Sequence, residues 1–557
     1  MKYKTILMMM SILIFSSCSQ ITPIQKVSKN KSQFNANTSI DFPHDDISKR
    51  AIVSSKILNK NYMINYHSLA KSGDKIGNGI FGEIQDIDAN ALRVSDANDF
   101  SSLHHVDGQN FMITHFETIP AAMYITKLQQ TKDGRLLATD TKNIDFSSVG
   151  GLWNPCAGSV TPWQTHLGSE EYEPDASLLY TTKPMLEYFK GDSSKINLYN
   201  YGWIPELKIL NKNGDTNVQK HYAMGRFSHE LAYVLPDNRT VYMSDDGSNV
   251  GLFMFIASEA KDLSSGKLYI AKYENEGKLQ WIDLGYATNE EIKKAIDKGI
   301  IFNDIFEKQE PVNGACSKDF TSINTMFGHE CLQLKDGMQT IASRLESRRY
   351  GAMLGGTSEF RKLEGITYNS NINELYLSIS EINEGMLDKH LNDIGTNNDI
   401  KFIQNDCGAI YRLKLYDDKK IDSKYVAYKM SPLIKGEPLK SKENTCNPNS
   451  IANPDNITYI QNIDTLIIGE DSTYGHQNDA IWAYDLKKET LSRILTSPYG
   501  SETTSVYYYE NFGGFNYIMA GIQHPYAESD EDKVKNDSDK RAHTGYFLLL
   551  PAEKIIK

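Results

Sequence analysis

Residues 229–246 read HELAYVLPDNRTVYMSDD. An acidic head at Glu230 leads into a short run of strand-forming residues. The run breaks at PDNRT, resumes, and ends on Asp245 and Asp246. Two such runs around an Asn/Asp turn make a β-hairpin. The same plan returns as EGITYNSNINELYLSISE (364–381), DNITYIQNIDTLIIGED (455–471) and ETTSVYYYENFGGFNYIMAGIQH (502–524). A weaker copy, DGQNFMITHFE (107–117), keeps only the second strand and its end. A plan repeated along the chain points to a repeat architecture.

In an antiparallel hairpin the start of one strand and the end of the next share an edge. Glu230 and Asp245 are fifteen residues apart, as are Asp455 and Glu470, so head and tail of each hairpin meet at one rim. Hairpins arranged radially bring those rims to one mouth of a channel, which predicts an all-β fold of the β-propeller kind. The rim positions read His229, Glu230, Asp245, Asp246, Glu364, Glu381, Asp455, Glu470, Asp471, Glu502, Gln523 and His524. A ring of carboxylates in a low-dielectric channel repels itself and calls for cations.

The chain has 557 residues, 40% hydrophobic and 23% charged, with 32 tyrosines and a net charge of −12. That composition is ordinary for a globular protein, and abundant tyrosine favours strands. The acidic balance argues against nucleic acid as a partner and suits cations.

A second stretch, WNPCAGSVTPWQTHLGSEE (153–171), holds Cys156, two prolines, two tryptophans and the pair Glu170 and Glu171. It predicts a stiff loop presenting a thiol and carboxylates together, a soft ligand beside hard ones.

Residues 1–18 read as a lipoprotein signal peptide: Lys2 and Lys4, an apolar run from Ile6 to Phe15, then Ser16, Ser17 and Cys18. The thiol of Cys18 is the expected lipid anchor in a bacterial cell envelope, facing the periplasm or the cell surface. Residues 19–50 read as a flexible tether, and 51–557 as the propeller, with insertions near 257–345, 382–406 and 527–543. Within these, 287–309 has helical character, 382–399 reads as a loop with a short helix, and 528–541 is a charged run. Of the six cysteines, Cys316, Cys331, Cys407 and Cys446 can form two disulfides. Three pairings are open, and sequence separation favours Cys316–Cys331 and Cys407–Cys446. Cys156 is then the odd thiol, an oxidation liability outside the cytoplasm unless a metal occupies it. The sequence has no G-x-S-x-G elbow, P-loop or dinucleotide fingerprint. His104, His105, His115 and His166 are scattered and lack zinc spacing.

The stretch CAGSVTPWQTHLGSEE, with GRFSHE (225–230), LEG (363–365), PDN and GED (454–456, 469–471) and ETT with QHP (502–504, 523–525), resembles the PhoX-type alkaline phosphatases, block by block and in order. The resemblance spans about 106–524. It implies a six-bladed propeller carrying an iron (Fe3+) and calcium cluster at the channel mouth, and hydrolysis of phosphate monoesters outside the cytoplasm. Carried over, it makes Cys156 the thiolate ligand of iron and puts Glu230 and Glu364 close to the irons. Glu117, Glu171, Asp455, Glu470 and Glu502 would serve calcium or bridge it to the cluster. The expected partners are small phosphate esters, and the expected unit is a monomer.

This chain departs from the family at places that would face phosphate. Thr114, His115, Phe116 and Glu117 stand where Asn-His-Glu is usual, and Lys362, Leu363 and Glu364 where Arg-Pro-Glu is usual. Lys362 and Thr114 are therefore the candidate catalytic side chains. Strand alternation puts Lys362 on the side of Glu364. The substitutions leave two alternatives: a phosphodiesterase or other hydrolase, lactonase-like, on the same site, and a calcium-binding propeller lipoprotein without catalysis.

Overall fold

The computed structural model describes residues 52–59, 62–395, 397–442, 444–527 and 537–551. The signal peptide, Cys18 and the tether fall outside the described residues, as do residues 528–536 of the charged run.

All four quoted hairpins form, with the end pairs His229↔Asp245, Leu363↔Ile379, Pro454↔Glu470 and Glu502↔Gln523. The last turns through Gly513 and Gly514, at φ 58° and 89°, where a side chain would be strained.

The first sheet is an antiparallel meander of Asn98–Val106, Gln109–Phe116, Ala122–Gln130 and Leu136–Asn143. A second joins Ser159–Val160, His166–Leu167, Pro205–Ile209 and Thr216–Lys220. A nine-stranded sheet follows, made of two meanders, 229–288 and 363–435, joined at the pair Lys278↔Lys429. The next sheet covers 454–496 and takes Val53–Ser54 on its edge. The last covers 502–551 and takes Tyr62–Lys71 beside His543–Pro551. The early strand thus fastens to the final one, a closure that leaves no sticky edge there.

The leading strands lie side by side. Asn98–Val106 neighbours Glu502–Phe512, which neighbours Pro454–Ile460, then Leu363–Asn369, then His229–Val234. Apolar side chains alternate out of these strands and fill the space between sheets. Ile467, Ile481, Ile518 and Phe547, from two different sheets, share one cluster. This array is propeller-like.

The strands through Thr288 belong to the sheet, so the segment outside it begins at 289 rather than 257. Thr288 caps helix Asn289–Asp297 by accepting from the Glu291 amide, with Glu290 and Glu291 in the first turn. A short helix, Phe302–Ile305, a three-stranded sheet and helices Gln339–Leu345 and Ser347–Met353 follow. In the 382–406 region two single 3-10 turns stand in place of a helix. Cys316–Cys331 and Cys407–Cys446 are disulfides. Among the described residues no helix is long and apolar enough to cross a membrane.

Candidate metal centre

At four of the leading strands the pairing register slips beside an acid. The slips lie between Asn98 and Ser101, His229 and Leu231, Leu363 and Ile366, and Pro454 and Ile457. Asp99, Glu230, Glu364 and Asp455 fall inside them. A bulge leaves a residue unpaired and re-aims its side chain. Four carboxylates are thereby released from strand alternation at the same end of neighbouring strands. Four non-glycine residues with positive φ lie near these acids in sequence or contact: Asn154 at 36°, Tyr172 at 46°, Lys362 at 43° and Asn453 at 42°. Strain of this kind collects at functional sites.

The donor atoms converge in three overlapping groups. Asp99, Glu117 and Cys156 bring theirs within 4.8 Å of one another, as do Cys156, Glu171 and Glu230, and Glu230, Glu364 and Asp455. Shared Cys156 and Glu230 link the groups into one run of seven donors. Asp99 Oδ1, Glu230 Oε1, Asp246 Oδ1 and Glu364 Oε1 are buried with no hydrogen-bond partner. Buried carboxylate oxygens are rarely left so, because each forfeits its hydration. Cations fit these residues.

The thiol and the carboxylates resist ionisation without such cations. Burial pushes Glu230, Glu364, Glu171, Glu502 and Asp99 well above the usual carboxylate range, and neighbouring carboxylates push further. Asp455 is pushed up to about 7, by burial first and then by Asp471. Burial also raises Cys156, with Glu230, Asp99, Glu117 and Glu171 adding to it. A bound cation inverts that logic, since it stabilises each charged form.

The loop 153–171 delivers the thiol as its composition predicts. Its proline bridge Pro155↔Glu170 and the Cys156 amide, donating to Ser169 O at 3.1 Å, fix the backbone. Cys156 is the free cysteine among the described residues, and it is buried. Glu170 and Glu171 part company. Glu170 accepts from Lys220 Nζ at 2.7 Å and from the Trp153, Gly202 and Trp203 amides. Glu171 faces the donors.

Lys362 reaches the cluster, with Nζ 3.4 Å from Glu364 Oε1, 3.7 Å from Asp471 Oδ2 and 3.9 Å from Asp246 Oδ2. The reason differs from the expected alternation: Lys362 lies outside the strands, in a left-handed turn held by its amide on Gly247 O. Arg361 turns away to Glu381, Glu384 and Ser248.

Two expected site residues are placed elsewhere. Glu470 is ringed by the Ala452 and Ala480 amides at 2.8 Å, Trp482 Nε1 at 2.6 Å and His476 Nδ1 at 3.0 Å, which occupies both its oxygens. The Thr114 hydroxyl is buried against Ser101 Oγ at 3.0 Å. Glu502 stays at the cluster edge, 3.4 Å from His524 Nε2. Asp99 is the residue that sequence reasoning missed. Its strand precedes the weak repeat copy and lacks a clear alternating pattern; its one signal is an acid at a strand head. Asp246 and Asp471 are rim acids brought in around Lys362. Behind them, Arg348 of the helical insertion clamps Asp245 and Glu173 in a buried ion-pair set.

A family model described as alkaline phosphatase PhoX matches residues 121–525. No curated protein matches the sequence. Among solved structures, Pseudomonas fluorescens PhoX in complex with vanadate, a transition state analogue, is similar in fold, with a TM-score of 0.59 at 15% identity over 90% of this chain and 96% of that one. A Trichoderma reesei enzyme of carbohydrate-active family AA12, in its calcium structure, has a TM-score of 0.36 at 9% identity, over 90% and 98% of the two chains. A gluconolactonase from Xanthomonas campestris has a TM-score of 0.32 at 8% identity, over 87% and 100%.

Proposed function

The chain belongs to the PhoX alkaline phosphatase family, and from that premise we propose that it is a lipid-anchored, extracytoplasmic enzyme releasing phosphate from monoesters at an iron–calcium cluster. One observation carries the reading: seven donors in a continuous run, most of them buried, with carboxylate oxygens on Asp99 and Glu230 that no group in the protein satisfies. A structural cluster would pair those oxygens off.

We read the nine-stranded sheet as two blades, which with the other four sheets makes a six-bladed propeller. The bulged strand heads then line its mouth. Iron suits the two groups that contain Cys156, since thiolate is the soft donor there. Calcium suits the all-oxygen group of Glu230, Glu364 and Asp455, with Glu502 and Asp471 at its edge. When bound, such ions stabilise negative charge on phosphoryl oxygens as Lewis acids.

The chain's own residues do the rest. Lys362 stays charged: burial works against its ammonium, but Asp246, Glu364 and Asp471 outweigh burial. Its side chain keeps about a fifth of its surface open, at 20%, so it can turn to an arriving phosphate oxygen. Tyr172 donates to Asp246 Oδ2, which steadies one wall around that ammonium. The buried setting excludes water and strengthens each of these charges.

Pseudomonas fluorescens PhoX holds vanadate as a transition state analogue, and vanadate is expected to inhibit this protein. The deciding assay offers a phosphomonoester and a phosphodiester before and after chelation, then with iron and calcium returned. Monoester turnover that chelator abolishes and the two metals restore supports the proposal. Turnover of diester alone makes it a phosphodiesterase. Metal binding without turnover of any ester leaves a calcium-binding lipoprotein. Cys18 carries the anchor in this reading, and detergent partitioning of Cys18→Ala tests it.

A further inference from the structure

Four buried side chains form an unbroken line behind the metal centre. His115 Nδ1 lies 2.7 Å from the carbonyl oxygen of Cys156, and His115 Nε2 lies 2.5 Å from His166 Nε2. His166 Nδ1 is 2.6 Å from Ser102 Oγ, which is 2.7 Å from His104 Nε2. His104 Nδ1 ends the line 3.2 Å from Gln164 O. His115, His166 and Ser102 are fully buried, and His104 nearly so. The residues come from two strands of the first sheet and one of the second.

The protons in this line can be counted. A carbonyl oxygen only accepts, so His115 carries its proton on Nδ1 and accepts at Nε2. His166 therefore donates from Nε2 and accepts at Nδ1. Ser102 donates to His166 and accepts from His104 Nε2. Four neutral groups supply four protons for five contacts. The contact left without one is His104 to Gln164, which is the longest of the five. One tautomer set thus satisfies the line from His104 to Cys156, every donor pointing toward the cysteine.

Three imidazoles in a core are costly compared with apolar side chains, and such a network is tolerated when its hydrogen bonds are made, as all but the outermost contact here are; it then rigidifies and specifies one geometry. Packing supports the same end. A Cβ on Gly168 would come within 3.0 Å of the His115 ring, so glycine there lets the ring lie close. Phe100 packs against both His115 and His166, at 5.7 and 5.6 Å between ring centres. The line ends on a carbonyl oxygen, which has no proton to give, so it is not a proton conduit to the reaction. What it holds is a peptide group: the Cys156 amide is fixed on Ser169 O and its carbonyl on His115.

We infer that His115, oriented by His166, Ser102 and His104, is a positioning residue that sets the backbone of Cys156 and hence the aim of its thiol among Asp99, Glu117, Glu171 and Glu230. The inference rests on the metal reading above for its purpose, but not for its geometry.

The test compares the full chain with His166→Phe, which breaks the line, and His166→Gln, whose amide can accept from Ser102 and donate to His115. Two signals are read in proteins whose thermal melting shows them folded. One is the thiolate-to-iron absorption band of the iron-loaded protein; the other is the rate of Cys156 alkylation by iodoacetamide after chelation. His166→Phe is expected to shift or weaken the band and to raise alkylation by about tenfold, the scale on which outer-shell partners act. His166→Gln is expected to return both toward wild type. A folded His166→Phe with the wild-type alkylation rate overturns the inference. An iron-loaded wild type without a thiolate band counts against the metal reading alone, since alkylation still decides the positioning. Should His166→Phe not fold, Ser102→Ala breaks the line at its next link and is read by the same two signals.

Discussion

Glu470 and Glu230 are both glutamates at strand ends, both buried, and both on the rim that the repeats define. Four donors close on Glu470, and two of them hold each of its oxygens. Around Glu230 stand a thiol and five more carboxylates, and its Oε1 has no partner. The same contrast separates neighbours in sequence: Glu170 is held by Lys220 and three amides, while Glu171 faces other acids. Burial of a carboxylate therefore says little about function. What separates scaffold from site is whether the protein itself supplies the donors.

The comparison breaks most visibly at the thiol. Cys156→Ala is expected to fold, to lose its iron, and to lose turnover by more than the 10–100-fold that outer-shell changes produce. Elemental analysis and kcat on a phosphomonoester read the two losses. A variant that keeps its iron and its rate would remove the ligand assignment.

Next in size is the ammonium. Lys362→Ala is expected to lower kcat/KM by roughly a hundred- to a thousandfold, the scale of a lost oxyanion donor at about 2.7–4 kcal/mol. Arg361→Ala should cost far less, because Arg361 is spent on Glu381 and Glu384. Lys362→Arg should retain activity, since the guanidinium fork suits phosphate. A collapse at Arg361 with little change at Lys362 would invert this assignment.

A crossed pair of neutral substitutions then sharpens the contrast itself. Glu470→Gln should destabilise the fold by about 2–3 kcal/mol, as charged hydrogen bonds are broken and a donor is left facing a donor. Metal content in the folded fraction should persist. Glu230→Gln should do the reverse: unchanged or raised melting temperature in chelated protein, because a repelling acid is gone, together with loss of metal. Parallel melting curves with and without chelator distinguish the two. Equal behaviour of both variants would mean that Glu230 is scaffold too.

The pH dependence of the chelated protein carries the same sign. Asp455 keeps its proton up to about 7 in the folded chain, whereas an unfolded aspartate releases it near 4. Between those values the folded state binds more protons, so stability falls as pH rises from about 4 to 7. Burial raises Glu230, Glu364 and Glu502 in the same direction. Calcium should abolish the slope by favouring the charged forms. Urea melts at several pH values read it, and a stability that climbs across this window would contradict the orphaned-acid picture.

Much of this was legible in sequence because hairpins are local. Runs of strand-forming residues and turn residues at fixed spacing gave the four hairpins, and the rule that the head and tail of a hairpin share one rim put Glu230, Glu364 and Asp455 at one end. The same rule placed Glu470 with them, and it misled there because His476 and Trp482, which satisfy Glu470, sit beyond the hairpin where no period announces them. Asp99 was missed because Asn98–Val106 is rich in Ser and His and shows no apolar alternation. The closure by Tyr62–Lys71 is a pairing between distant parts of the chain, which periodicity cannot express. The histidines read as scattered for the same reason; only the packing of two sheets brings His104, His115 and His166 into line.

Thr114 marks the smallest effect expected. At this place the family tends to carry asparagine toward phosphate, but here the side chain is turned into the sheet, where its hydroxyl meets Ser101 Oγ at 3.0 Å. The Ser101 amide in turn donates to Ser505 Oγ at 2.6 Å, so the contact belongs to the seam between the first and last sheets. Thr114→Val keeps the shape and removes one neutral hydrogen bond, which is worth about 1 kcal/mol. The expected result is a slightly lower melting temperature with kcat/KM within a few fold of wild type. Thr114→Asn makes the converse probe: asparagine is larger, the position is fully buried, and overpacking should cost stability without improving turnover. If Thr114→Val instead lost activity on the scale of Lys362→Ala while melting normally, the hydroxyl would have to reach the substrate, and the division between satisfied scaffold and unsatisfied site would fail at this residue.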